Sequence, residues 1–164
     1  MKKIIFALSV SIITLISCNQ KVDPPKKIDV QDLYSIEMPV NLAPIPDLYP
    51  NADLQYGNTF LQTYIVTTKS SLEVDFATFV KDGLANYQDR ENYKVLKEDN
   101  VTINNLDGKL YELEMTQDGT YMFMIQAFLK GKKANYEVIA WTTGQNKDVE
   151  GKNLINIISS IKEY

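Results

Sequence analysis

Apolar residues recur along this chain with two periods, and the switches between them mark out its elements. Leu33 to Met38 alternates around Tyr34, Ile36 and Met38, which predicts a strand ended by Pro39. Asn41 to Pro50 carries Pro44, Pro46 and Pro50 and reads as a loop. Asp53 to Tyr56 is a short strand, Gly57-Asn58 a two-residue hairpin signal, and Thr59 to Thr68 a longer β-branched and aromatic strand. The period then becomes helical. Leu72, Phe76, Phe79, Val80, Leu84 and Tyr87 fall on one face, with Asp75, Ser70 or Ser71 as the start cap. Gly83 shares that face, which predicts close approach to a sheet. Asp89, Arg90, Glu91 and Asn92 end the helix as a surface terminus.

Alternation returns for four strands. Tyr93 to Ile103 is the first, broken near Asp99-Asn100, and Asp107-Gly108 turns the chain. In Lys109 to Gln117, Tyr111, Leu113 and Met115 alternate with Glu112 and Glu114, so one face is wet. Asp118-Gly119 turns again. Thr120 to Lys130 is apolar on both faces: Tyr121, Phe123, Ile125 and Leu129 oppose Met122, Met124 and Phe128. That pattern predicts a central strand covered on both sides. Gly131-Lys132 leads into Lys133 to Thr143. A last helix runs from Asn146 to Lys162, with Val149, Leu154, Ile158 and Ile161 inward. Two-residue turns make the sheet antiparallel. The fold class is α+β, a mainly antiparallel sheet of about seven strands with a helix layer on each face.

The front of the chain follows a different rule. Lys2 and Lys3 precede Ile4 to Ile16, which only Ser9, Ser11 and Thr14 interrupt. The run is shorter than the about 20 apolar residues that span a bilayer. A basic start, a short apolar segment and a small residue before the cut describe an export signal. Leu15-Ile16-Ser17-Cys18 resembles the bacterial lipobox. The resemblance implies a thioether-linked diacylglycerol on the Cys18 sulfur, cleavage before Cys18 and acylation of the new amine. Residues 1–17 are thus read as signal, 18–32 as attachment site and a Pro24-Pro25 tether, and 33–164 as one domain. At about 3 Å per residue the tether would hold the domain roughly 30–40 Å from the membrane.

Composition sharpens this reading by exclusion. Cys18 is the sole cysteine and there is no histidine, which excludes Ser-His-Asp and Cys-His catalysis, His- or Cys-ligated zinc and thiol redox chemistry. No cofactor is expected. The chain carries 17 basic and 21 acidic residues, and losing Lys2 and Lys3 makes it more acidic still. Neither nucleic acid nor an anionic headgroup layer is attracted to such a surface. Membrane affinity must come from the acyl chains. Asn19 is not the aspartate that retains some lipoproteins at the inner membrane, so the expected location is the periplasmic face of the outer membrane.

The order of strands and helices resembles the PsbP-like family, which includes DcrB-type and LpqN-type bacterial lipoproteins. The likeness runs from Leu33 to Tyr164. It rests on Tyr34-Ser35-Ile36-Glu37-Met38-Pro39, the helix Phe76 to Tyr87, the Ile103 to Tyr111 hairpin and the closing Ile158-Ser159-Ser160-Ile161. What it implies is fold and an accessory habit, since members include subunits of photosynthetic complexes, a Ran-binding protein and envelope lipoproteins. No catalytic motif carries over.

Candidate chemistry in the domain is sparse. Asn104, Asn105, Asp107 and Gly108 offer oxygen ligands but lack the longer loop and terminal Glu of a calcium hand, and a plain turn accounts for them. Glu112 and Glu114 share a strand face, as a carboxylate pair or a solvated edge. Met115, Met122 and Met124, with Trp141 and Phe128, suit core filling or the lining of an adaptable apolar pocket. The expected function is a non-catalytic envelope lipoprotein whose domain docks on a protein partner. The alternative is binding of a small apolar or sugar-like ligand between sheet and helix. A carboxylate enzyme built on Glu112 or Glu114 stands last.

Overall fold

Alternation does build the sheet. The computed structural model describes residues 23–164. The lipobox Leu15–Cys18 and the signal reading of residues 1–17 lie outside the described residues. Ten strands and two helices follow in order: β1 (Lys26–Val30), β2 (Tyr34–Met38), β3 (Ala43–Pro44), β4 (Leu54–Asn58), β5 (Thr63–Ser70), α1 (Phe76–Gln88), β6 (Glu91–Ile103), β7 (Leu106–Gln117), β8 (Thr120–Lys130), β9 (Asn135–Thr143), α2 (Lys147–Ser159) and β10 (Lys162–Glu163). Seven strands form one antiparallel sheet in the order β3-β4-β5-β9-β8-β7-β6, and β1-β2-β10 form a second. No helix of the described residues is long and apolar enough to cross a membrane.

The two faces of the large sheet bury different side chains. Phe123, Ile125, Ala127 and Leu129 of β8 face α2 and the small sheet, where they meet Leu154, Ile158, Tyr34 and Ile36. Leu113, Met115, Met124 and Phe128 face α1 and its Val80 and Tyr87. The strand that is apolar on both faces is thus covered on both faces, and it lies inside the sheet as the pattern predicts. Asp75 caps α1 by accepting a hydrogen bond from the Thr78 N–H. Gly83 lies against Phe128, where a Cβ would come within 2.7 Å of the ring tip. The close approach expected of this glycine is real.

Several boundaries differ from the sequence reading. The proposed tether is partly strand: Lys26–Val30 pairs with β2, with Val30 buried and Ile28 packed beside the core. Charges at Lys26, Lys27 and Asp29 hid that alternation, because an edge strand can leave most of its side chains in water. The Gly57-Asn58 pair does not turn. β4 continues through it, and the Asn58 carboxamide instead accepts from the N–H groups of Phe60 and Leu61 to shape the turn that follows. Asp107-Gly108 does not turn either. The hairpin is Asn104-Asn105, with φ of 48° and 67°, and Gly108 pairs with Leu129 inside the ladder. Irregular pairing in β6 falls between Glu91 and Lys94 and between Val95 and Lys97, not at Asp99-Asn100.

The last helix is shorter than expected. A 3-10 turn, Gly144–Asn146, precedes α2, and β10 follows it. Gly151, Leu154, Ile157 and Ile158 make its buried face. Val149 lies about 140° around the helix from Leu154 and is 71% exposed. Leu72 precedes its helix in a turn closed by the Val74 N–H on the Ser71 carbonyl, and it is also exposed.

Candidate functional site

A helix of 13 residues is about 20 Å long, whereas β7, with 12 residues, runs about 40 Å. α1 therefore cannot cover the whole face beneath it. It starts near the end of β5 and stops at Gln88, and the uncovered remainder of the face forms a cleft of about 530 Å³.

The register dictates what lines the floor. Tyr64 is opposite Trp141, Trp141 opposite Met124, and Met122 lies between Met115 and Thr143. The rings of Tyr64 and Trp141 stack with centroids 5.3 Å apart and planes 24° apart. Met115 and Met124 are buried, while Met122 and Trp141 keep half-open faces. Tyr87 at the end of α1, Tyr49 of the loop before β4, and Arg90 complete the walls. Burial, with Tyr49 next in effect, holds the Tyr87 hydroxyl well above its ordinary range, so it stays protonated. The site is apolar, aromatic and thioether-rich, with a guanidinium at its edge. It suits binding of an apolar group.

The residues singled out from sequence separate clearly. Met115, Met122, Met124 and Trp141 come together in the cleft, and Phe128 lies deeper under α1. Arg90, read as a plain helix terminus, lines the cleft; Asp89 caps α1 and Glu91 opens β6. Asn104 donates its amide to the Ser159 and Ile161 carbonyls, and Asp107 accepts from the Thr102 hydroxyl at 2.6 Å. Those groups serve the hairpin and the end of α2. Glu112 and Glu114 point to the opposite face of the sheet from the cleft. Glu114 pairs with Lys147 at 2.9 Å, and the Tyr121 hydroxyl followed by Lys147 holds its pKa below the usual range. A general acid needs the opposite shift.

One ionisable group escaped the sequence reading. Glu137 of β9 is buried beneath α1, accepting from the Thr68 hydroxyl at 2.9 Å and from the Gln126 amide at 2.5 Å. Its signal was available: a lone acid in a strand otherwise apolar on both faces. Burial raises its pKa, and the two hydrogen bonds oppose that shift. The folded protein then holds the proton more tightly than the unfolded chain, so stability falls as pH rises from the ordinary carboxylate range through the raised value. Glu137→Gln keeps the shape and offers both an acceptor and a donor. The variant is expected to melt at a higher temperature than the parent at pH 8 and to match it near pH 4. Melting curves whose pH slopes coincide would rule this out.

No family model matches the chain, and no curated protein matches it. Solved structures do. The solution structure of cyanobacterial PsbP (CyanoP) from Synechocystis sp. PCC 6803 is 11% identical with a TM-score of 0.60, over 92% of this chain and 99% of that one. LpqN of Mycobacterium tuberculosis, described as involved in cell envelope biogenesis, is 10% identical with a TM-score of 0.60, over 86% of each chain. PA94 of Pseudomonas aeruginosa, a protein of unknown function, is 16% identical with a TM-score of 0.53, over 84% and 96%. At such identities likeness establishes the fold and not the task, and the fold is PsbP-like.

Proposed function

We propose that this chain is a lipid-anchored envelope protein, held through acyl chains on Cys18 at the periplasmic face of the outer membrane, whose domain works by binding and not by catalysis. The observation that carries the binding role is the cleft. Its floor presents the Tyr64–Trp141 stack and half-open Met122, a surface that an apolar or flat ligand would cover. The anchoring rests on the lipobox resemblance, the sole cysteine and the acidic balance. Likeness to LpqN, described as acting in envelope biogenesis, favours a second reading in which an envelope protein docks on the domain.

Trp141 is the only tryptophan, so its fluorescence reports directly on the cleft floor. Titration with dibrominated fatty acids and with anilinonaphthalene sulfonate is expected to quench it saturably. Tyr64→Ala, which removes the stacked partner, should weaken that binding about tenfold, the effect of about 1.4 kcal/mol. No saturable change with either probe, and no thermal shift, would discard the small-ligand reading. Cross-linking in native membranes then tests docking, and recovery of the protein only as itself would count against it.

A further inference from the structure

The anchored chain enters the domain at the same end as the cleft, and that end exposes several large apolar side chains. Asp23 and Pro25 border a pocket with Val40, Leu42, Thr63 and Glu150. Thr63 begins β5, directly after the turn at residues 59–62. Phe60 sits on that turn and is 97% exposed. Turns ordinarily take small or polar residues, so a fully exposed phenylalanine there is unexplained by folding.

Phe60 is not isolated. The Asn58 amide donates to the Asn41 carbonyl at 2.8 Å, tying its turn to the loop of Val40. The Asn146 amide donates to the Leu61 carbonyl at 2.9 Å, tying it to the start of α2 and Val149. Val40 is 43% exposed and Val149 71%. Tyr121, also exposed, lies against Gly144 at the same end. Two hydrogen bonds thus fix three exposed apolar side chains on one tip. From Cys18 to Pro25 the chain reaches at most about 25 Å even when fully extended. β1 then carries the chain away from this tip, antiparallel to β2, which returns to it.

We propose that this tip is a membrane-contact surface, with Phe60 inserting among the lipid headgroups and the outer acyl carbons and Val40 and Val149 flanking it. The inference rests on the Cys18 anchor. A tether of at most about 25 Å holds the tip near the bilayer, so weak apolar insertion suffices without electrostatic attraction. Asp23 and Glu150 border the same pocket and the chain is acidic in balance, which favours the apolar contact over electrostatic adhesion. The same contact would point the mouth of the cleft, at Gln62 and Thr143, toward the membrane.

The test uses the lipidated protein purified from membranes and returned to vesicles of phosphatidylethanolamine and phosphatidylglycerol. With Cys18 occupied, Thr59→Cys and Lys132→Cys each give a single thiol for a nitroxide label. Thr59 adjoins Phe60, and Lys132 lies in the β8–β9 turn at the opposite end. At position 59 the ratio of oxygen to nickel-complex accessibility should rise several-fold on vesicles, and adding Phe60→Ser should abolish the rise. Position 132 should not change. A lipidated protein whose position 59 stays as open to the nickel complex as position 132 would overturn the contact while sparing the anchor. Detergent-phase partitioning of the same preparation separates the two cases: recovery in the aqueous phase would overturn the anchor and this inference with it.

Discussion

Gly108→Ala is expected to lower the unfolding free energy by about 3 kcal/mol or more, the upper range for forcing a methyl into closed packing. A Cβ built at this position overlaps the Phe128 carbonyl oxygen and falls 3.0 Å from the Leu129 Cα. Both are backbone atoms of the neighbouring strand, so no rotamer change relieves the clash. β7 and β8 would have to part at Gly108–Leu129, in a ladder that continues unbroken from Asp107–Lys130 to Gln117–Thr120. The melting temperature should fall by about 6–12 °C. Gly119→Ala is the control. That glycine has a φ of 76° but open space around it, so only the backbone penalty of about 1 kcal/mol applies. Urea unfolding that places Gly108→Ala level with Gly119→Ala would show that the strands relax apart at little cost.

Gly108 also shows where sequence reading reaches its limit. Asp-Gly and Asn-Asn both tolerate positive φ, and both stand in the segment Asn104 to Gly108. The side-chain pattern does not choose between them, because the choice depends on the register with β8, a contact some 20 residues away. The same holds for β1, whose partners lie in β2 and whose outward charges mask a two-residue period. Where one face of a strand is buried by local neighbours, the pattern suffices. Tyr111, Leu113 and Met115 fall together, Glu112 and Glu114 fall opposite, and Thr120 to Lys130 lies inside the sheet. The cleft stands between these cases. Alternation places Met115, Met122, Met124 and Trp141 on one face. Whether that face is filled or open depends on helix length against strand length and on the path of the loop bearing Tyr49. Glu137 was visible as an acid among apolar residues, but its partners Thr68 and Gln126 come from two other strands.

Cys18→Ser should change the chain all at once at its front and leave the domain alone. In the lipobox reading the sulfur of Cys18 receives diacylglycerol, and cleavage follows only on the lipid-modified chain. A serine hydroxyl at the same place is not that substrate. The variant should therefore accumulate as an unlipidated precursor that keeps residues 1–17, and intact mass after extraction reads both differences together. The domain has no stake in the change. Its first strand starts at Lys26, and Val30, Tyr34 and Ile36 pack among themselves and against α2 and the sheet. Its unfolding midpoint should stay within the about 0.5 kcal/mol typical of surface substitutions. In that reading the acyl chains matter, because no helix of the described residues is long and apolar enough to cross a membrane. Each buried methylene contributes about 0.8 kcal/mol, and a single chain anchors only marginally, so two or three are needed. The acidic surface adds no attraction to anionic lipid, and the Phe60 tip alone presents too little apolar area for lasting attachment. A Cys18→Ser protein recovered at the lipidated mass would break the link between this residue and the anchor. A precursor of the expected mass with a shifted unfolding midpoint would instead show that residues before Lys26 contribute to the fold.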